Sequence, residues 1–187
     1  AGTDVSFQNG GRPMTNELLA DTPGSHFLLG NISWAPLEET INGTIVFDGT
    51  FSGGGDADLG VLKEPITLQV EKGKIIDISG GQEAAFMRNW LEKLNDPNMY
   101  NLAHASYGIN PGAKLGTACC EDERFWGCTQ WGFGNQGVYF EGGAGRAVSH
   151  GDGTCLNSSV WLDDVQILDE GVFVEPTLAA LAKACGK

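Results

Sequence analysis

Histidine is scarce in this chain of 187 residues: only His26, His104 and His150 are present. Any chemistry that needs two imidazoles therefore has few choices. His150 and Asp152 stand two apart in the run Ser149-His150-Gly151-Asp152-Gly153, and in extended backbone such a pair points to one side of the chain. The flanking glycines, Gly151 and Gly153, are expected to let a metal or substrate approach the backbone closely. Two imidazoles and one carboxylate on one face, with other coordination positions open, form the donor set of non-haem iron oxygenases. His104, His150 and Asp152 thus read as ligands for one divalent metal, with iron preferred and manganese or zinc compatible. A plainer reading stands beside it. Strands carry His-x-Asp pairs on solvated faces, and His104, between Ala103 and Ala105, also reads as a hydrogen-bonded core histidine.

Other reactive residues are weighed in the same way. His26 follows a Pro-Gly turn; it is either solvated or, with an unperturbed pKa near neutrality, an acid or base facing a substrate. Tyr107, three after His104, faces the opposite side of a strand and reads as core. Glu123-Arg124 is either a surface ion pair or an internal brace. Cys119-Cys120 does not read as a catalytic pair: adjacent cysteines rarely meet disulfide geometry, and no nearby histidine activates either. No G-x-S-x-G elbow supports a serine hydrolase. Gly132-Phe133-Gly134 does not follow a buried strand and open a helix, as a nucleotide-binding loop requires.

The elements that must position these groups are mostly strands. Val5 to Phe7, Ile32 to Trp34 and Thr44 to Phe47 are β-branched or aromatic, with Asn42-Gly43 and Asp48-Gly49 as punctuation. Residues 66–70 and 74–78 alternate around Glu71-Lys72-Gly73 as a hairpin. Gln82 to Leu94 reads as a helix with a Phe86, Trp90, Leu91, Leu94 stripe, stopped by Asn95-Asp96-Pro97. Met99 to Tyr107 reads as a strand carrying His104. Glu121 to Trp131 is expected to form a second short helix, Ser159 to Leu168 one strand with Asp163-Asp164 inside it, and Thr177 to Cys185 a C-terminal helix. The expectation is a single α+β domain over 1–187, with a strand-dominated antiparallel sheet or partial barrel and two or three peripheral helices.

Composition narrows the partners. A net charge of −13 opposes a nucleic-acid surface, which needs a basic patch. No apolar run is long enough for a membrane-spanning helix, so no membrane partner is expected. Five cysteines without a zinc-type pair fit free thiols in a reducing compartment, which points to a cytoplasmic location.

The segments Gly30-Asn-Ile-Ser-Trp-Ala-Pro36, Ile41-Asn-Gly-Thr-Ile-Val-Phe-Asp-Gly49, Gly108-Ile-Asn-Pro111 and Ser149-His-Gly-Asp152 resemble, in order, the C-terminal half of the aminopeptidase T-like superfamily. That superfamily contains two-metal aminopeptidases and iron-dependent 2,5-dihydroxypyridine 5,6-dioxygenases. In the alignment the resemblance implies, the peptidases' metal-binding glutamates fall at Asn31 and His104. One peptidase histidine falls near Gly127-Cys128, where this chain has none, while the final His-x-Asp stands as His150 and Asp152. The resemblance therefore implies the dioxygenase branch: one Fe(II) on His104, His150 and Asp152, with a hydroxylated pyridine or similar small aromatic and dioxygen as substrates. His26, or a residue of the absent domain, is the expected acceptor of the substrate's hydroxyl proton. A metal-dependent hydrolase and a non-catalytic subunit with a vestigial site are the alternatives. The resemblance also implies an N-terminal α/β domain preceding the matched region, expected to be absent from this chain or carried on a separate chain, and a homo-oligomer.

Overall fold

Alternating side chains and frequent glycines divide the chain into short strands, and the computed structural model describes them over residues 2–16, 23, 30–55, 57–138 and 140–187. In chain order these begin with β1 (Asp4–Ser6), β2 (Met14–Asn16), β3 (Asn31–Trp34), β4 (Asn42–Phe47), β5 (Thr50–Gly53) and β6 (Ala57–Val61). A hairpin of β7 (Ile66–Glu71) and β8 (Lys74–Gly80) leads to helix α1 (Gln82–Leu94). The site-bearing strands follow as β9 (Leu102–Gly108), β10 (Thr129–Gly134) and β11 (His150–Cys155), with the single-turn helix α2 (Cys119–Asp122) between the first two. The chain closes with β12 (Val160–Leu162), β13 (Val165–Asp169), β14 (Val172–Phe173) and helix α3 (Pro176–Ala184).

The strands form three antiparallel sheets: a four-stranded sheet in the order β1-β4-β7-β8, a seven-stranded sheet in the order β2-β3-β9-β10-β11-β5-β6, and a small sheet in the order β12-β13-β14. The fold is α+β and strand-dominated as expected, with open sheets rather than a closed barrel. The turn joining β7 to β8 places Lys72 and Gly73 at φ +48° and +73°, the pair of positive values that a two-residue turn needs to match strand twist.

Helix α1 starts with Glu83 in its first turn and ends with Lys93 in its last, as the helix dipole favours, and Asn95 closes it in the left-handed conformation at φ +49°. Its buried face differs from the expected stripe. Ala84, Met87 and Leu91 are buried, spaced to share one face, with Trp90 and Leu94 packed beside them. Phe86 is turned outward instead, 39% exposed. The buried core also includes Trp34, Phe47, Phe51, Leu68, Leu102 and Phe133.

Two further expectations need correction. Residues 121–131 do not form the expected helix: only Glu121 and Asp122 are helical, as the end of α2. Gly127 at φ +77° leaves the helical region, its N–H bonds back to Gly108 at 2.9 Å, and residues 129–134 fill the slot between β9 and β11 as β10. Residues 159–168 are not one strand but the β12–β13 hairpin. Asp163 turns it at φ +51°, a conformation that aspartate tolerates better than most residues.

Candidate metal centre

Cross-strand register assembles the site. His104 on β9 is paired with Gly132 on β10, which is paired with Asp152 on β11, which is paired with Ser52 on β5. The neighbouring row runs Ser33, Ser106, Gln130, Thr154. Residues directly opposed in antiparallel strands share a face, so the middle of the seven-stranded sheet has one polar side. The alternate residues, Trp131 and Phe133 among them, enter the core on the other.

His104 and Asp152 are two strands apart, a backbone separation of about 10 Å at the usual strand spacing. Gly132 closes that gap. A Cβ there would lie 2.1 Å from His104 Cε1, so the missing side chain lets the imidazole lie across β10. Its Nε2 reaches 3.5 Å from Asp152 Oδ1, and His150 Nε2 lies 3.1 Å from the same oxygen. The two imidazoles stack with centroids 5.2 Å apart, and Phe140 also stacks on His104, at 4.9 Å. The ligand atoms of His104, His150 and Asp152 all lie within 4.8 Å of one another.

Gly151 and Gly153 do not serve the site as expected. Both face the core, where a Cβ would meet the rings of Phe133 and Phe47, respectively, at 2.4 and 2.2 Å. They allow close packing beneath the site rather than approach from above.

The imidazoles are tuned in opposite directions. Burial takes His104 down to about 4 despite the pull of Asp152, so at neutral pH it is uncharged. Burial also works against charge on His150, but the Asp152 carboxylate and the hydrogen bonds outweigh it and raise its pKa. For Asp152 burial favours the neutral acid, yet His150 beside it prevails and the carboxyl is held below its ordinary range.

Donor chemistry tests whether a cation fits. His150 Nδ1 donates to the Asn135 carbonyl at 2.8 Å, an oxygen that only accepts. Nε2 faces the Asp152 carboxylate at 3.1 Å, which also only accepts. Without a cation the ring is doubly protonated; a divalent cation held by His150 and Asp152 would take the place of that proton. A backbone carbonyl fixing the outer nitrogen is the usual support of a metal-binding histidine. The residues present fit a metal.

Cys119 and Glu123 line the same hollow, their ligand atoms within 4.8 Å of an Asp152 oxygen. Burial first and Asp152 second push Cys119 up to about 12. The same two causes carry Glu123 up to about 7 against the pull of Arg124. Arg124, itself buried, donates to Glu123 Oε1 and to the Cys120 carbonyl, so Glu123-Arg124 is the internal brace. Tyr107 packs on the apolar face against Trp34, centroids 4.9 Å apart, and burial lifts its phenol to about 12. His26 lies outside the described residues.

Beside His150 opens a cleft of about 410 Å³, lined in part by Asn135, Gln136, Val138, Arg146 and Ser149. Of the residues that shape the site, sequence reasoning missed Gln130, Ser106, Gly132, Asn135 and Phe140. One signal for β10 was present: in residues 130–134 aromatic residues alternate with glutamine or glycine, the period of a strand with one polar face.

The chain itself has relatives among known proteins. A family model described as 2,5-dihydroxypyridine 5,6-dioxygenase (NicX) matches residues 1–175. The chain is 32% identical over 192 aligned residues to the 2,5-dihydroxypyridine 5,6-dioxygenase of Pseudomonas putida KT2440, covering 94% of this chain and 53% of that protein. A solved structure of 2,5-dihydroxypyridine dioxygenase from Pseudomonas putida KT2440 superposes with a TM-score of 0.75 at 26% identity, over 94% of this chain and 55% of the other. Wild-type AmpT from Thermus thermophilus shares the fold, with a TM-score of 0.68 at 14% identity over 94% of this chain and 48% of the other. The chain thus spans about half the length of the relatives it matches.

Proposed function

Because the chain belongs to the 2,5-dihydroxypyridine 5,6-dioxygenase (NicX) family, we propose that it is the metal-bearing part of an Fe(II)-dependent dioxygenase that opens the ring of a hydroxylated pyridine or similar small aromatic. The observation that carries this reading is the convergence of His104 Nε2 and His150 Nε2 on one Asp152 oxygen. Two imidazoles and a carboxylate are a ligand set suited to divalent iron. Iron, when bound, supplies the redox and dioxygen chemistry that no side chain of this chain provides.

The protein's own residues do the rest. Asn135 holds the His150 ring so that Nε2 faces inward. Phe140 covers one face of His104, keeping water from that side. To His26 we assign acceptance of the substrate's hydroxyl proton. A single cation is favoured over a pair, since Glu123 is engaged by Arg124 and burial keeps the Cys119 thiol protonated.

Anaerobic reconstitution with ferrous iron, followed by dioxygen uptake on a panel of dihydroxypyridines, tests the proposal. The expected result is one iron per chain and uptake dependent on substrate. His150→Ala is expected to lose the iron, and His26→Ala to keep the iron but turn over more slowly. Tight binding of two zinc ions with peptide hydrolysis in the absence of dioxygen would overturn it.

A further inference from the structure

β10 runs between the strands that carry His104 and Asp152, and beside Gly132 it turns one large polar side chain toward the site. That side chain is Gln130, at 0% exposure. A buried amide needs partners at both ends, and Gln130 has them. Its Nε2 donates to Asp152 Oδ1, its Oε1 accepts from Ser106 Oγ, and the same Oε1 lies 3.3 Å from His104 Nε2.

The Asp152 carboxylate sets which way round the amide stands. Flipped, it would set an oxygen against the Asp152 carboxylate, two acceptors with no proton between them. With Nε2 on Asp152, Oε1 must face Ser106, whose hydroxyl then has to donate. Ser106 sits directly opposite Gln130 in the β9–β10 register and is itself buried, at 1% exposure. Donation therefore runs from Ser106 through Gln130 to Asp152 and ends on the carboxylate.

The two histidines differ in what holds them. His150 is fixed from outside by the Asn135 carbonyl. His104 Nδ1 is buried and has no hydrogen-bond partner. Among the described residues, the polar contacts of the His104 ring are Gln130 Oε1 and Asp152 Oδ1, both at Nε2. The same amide thus touches two of the three ligand side chains.

We propose that Gln130, oriented by Ser106, is the positioning residue of the metal centre, its amide N–H fixing the Asp152 carboxylate where the two imidazoles converge on it. This rests on the ligand assignment made above, and the experiment separates the two.

Cobalt(II) is titrated into the metal-free full chain, and its affinity and ligand-field absorption are recorded for wild type, Gln130→Leu, Ser106→Ala, the double variant and His150→Ala. Thermal midpoints of the metal-free proteins are measured in parallel. Gln130→Leu keeps the approximate volume and removes both ends of the amide. It is expected to weaken cobalt binding about 10- to 100-fold, the usual effect of losing an outer partner of a metal ligand, and to move the absorption bands. Ser106→Ala is expected to act in the same direction but less, and to add nothing on top of Gln130→Leu, because Ser106 acts through Gln130. A merely structural role would lower the thermal midpoint and leave the bands of the folded, cobalt-loaded protein in place. Should Gln130→Leu fail to fold, the smaller change Ser106→Ala decides the matter on the same readouts. Wild-type affinity and bands in these variants, with cobalt binding lost in His150→Ala, would overturn the role of Gln130 alone. Unchanged cobalt binding in His150→Ala would overturn the ligand assignment and this inference with it.

Discussion

The least conspicuous residue of the site, Gly132, sets its geometry. His104 and Asp152 approach because nothing projects from β10 between them, and a Cβ at this position would sit 2.1 Å from His104 Cε1 and 2.4 Å from Nδ1. The ring is already stacked against Phe140 and His150, so moving it disturbs both contacts. Gly132→Ala is therefore expected to cost about 1–3 kcal/mol, the range of an overpacked interior. It should also displace His104 Nε2 from Asp152, so that iron affinity falls by at least about 10-fold, as when a ligand loses its support. Denaturant melts and iron titration of the variant check both; wild-type iron affinity would show that the ring has another place to go. The His-x-Asp pair was legible in the sequence because a period of two is a local property of strands. Gly132 was not, because its importance lies in which residues the register sets on either side of it. Gln130 was hidden for the same reason: nothing local says that position 130 faces position 106 rather than solvent.

At the scale of elements, the segment between β10 and β11 decides how one side of the centre is closed. This segment contains no strand or helix among its described residues, yet it is fastened at many points. Asp96 Oδ2 accepts from the Val148 N–H at 2.9 Å, and Asn98 and Asn101 donate to the Arg146 and Ala144 carbonyls at 2.9 and 3.2 Å. Gln136 donates to the Ala103 carbonyl on β9 at 2.6 Å. At its middle, Glu38 accepts from the Gly143 N–H and pairs with Arg12 at 2.9 Å. These ties hold the region that presents Phe140 to His104. Glu38→Ala should cost little overall stability, because an ion pair near the surface contributes about 0–1 kcal/mol. It should speed amide exchange in the 141–146 stretch and raise KM several-fold while leaving iron content unchanged. Hydrogen exchange followed by mass spectrometry measures the first effect, and protection equal to wild type would mean that the asparagine ties suffice. Elements with strong local signals, such as α1 and the β7–β8 hairpin, were legible from the sequence. Residues 121–131 misled because a helix-like composition was overruled by Gly127 at φ +77° and by a vacant sheet position. Residues 159–168 misled because Asp163 supports a turn only when the following segment folds back to pair.

Over the whole molecule, site and core are the two faces of one sheet. β10 alternates between them: Gln130 and Gly132 face the ligands, while Trp131 and Phe133 point into the core. Phe133 stacks on Phe51 of β5, centroids 6.2 Å apart and nearly parallel, and meets Trp90 of α1 edge-on at 6.2 Å. The candidate ligands His104, His150 and Asp152 stand on β9 and β11, which flank β10 in the seven-stranded sheet. A cation held by His104, His150 and Asp152 would tie together the two strands that flank β10, whose Phe133 meets Trp90 of α1, and would so couple binding to folding. A ligand that binds only the folded state at about 100 times its Kd stabilises it by about 2.7 kcal/mol. At roughly 2–4 °C per kcal/mol for a chain of this size, removing the metal with a chelator is expected to lower Tm by roughly 5–11 °C. The transition should stay cooperative, because the strands that lose the cation are the same ones that carry the core. His150→Ala should melt near the chelated wild type and show no response to iron. An iron-dependent Tm retained in that variant would place the cation elsewhere. A chelator-induced transition confined to part of the chain would mean that the two faces of the sheet are not coupled.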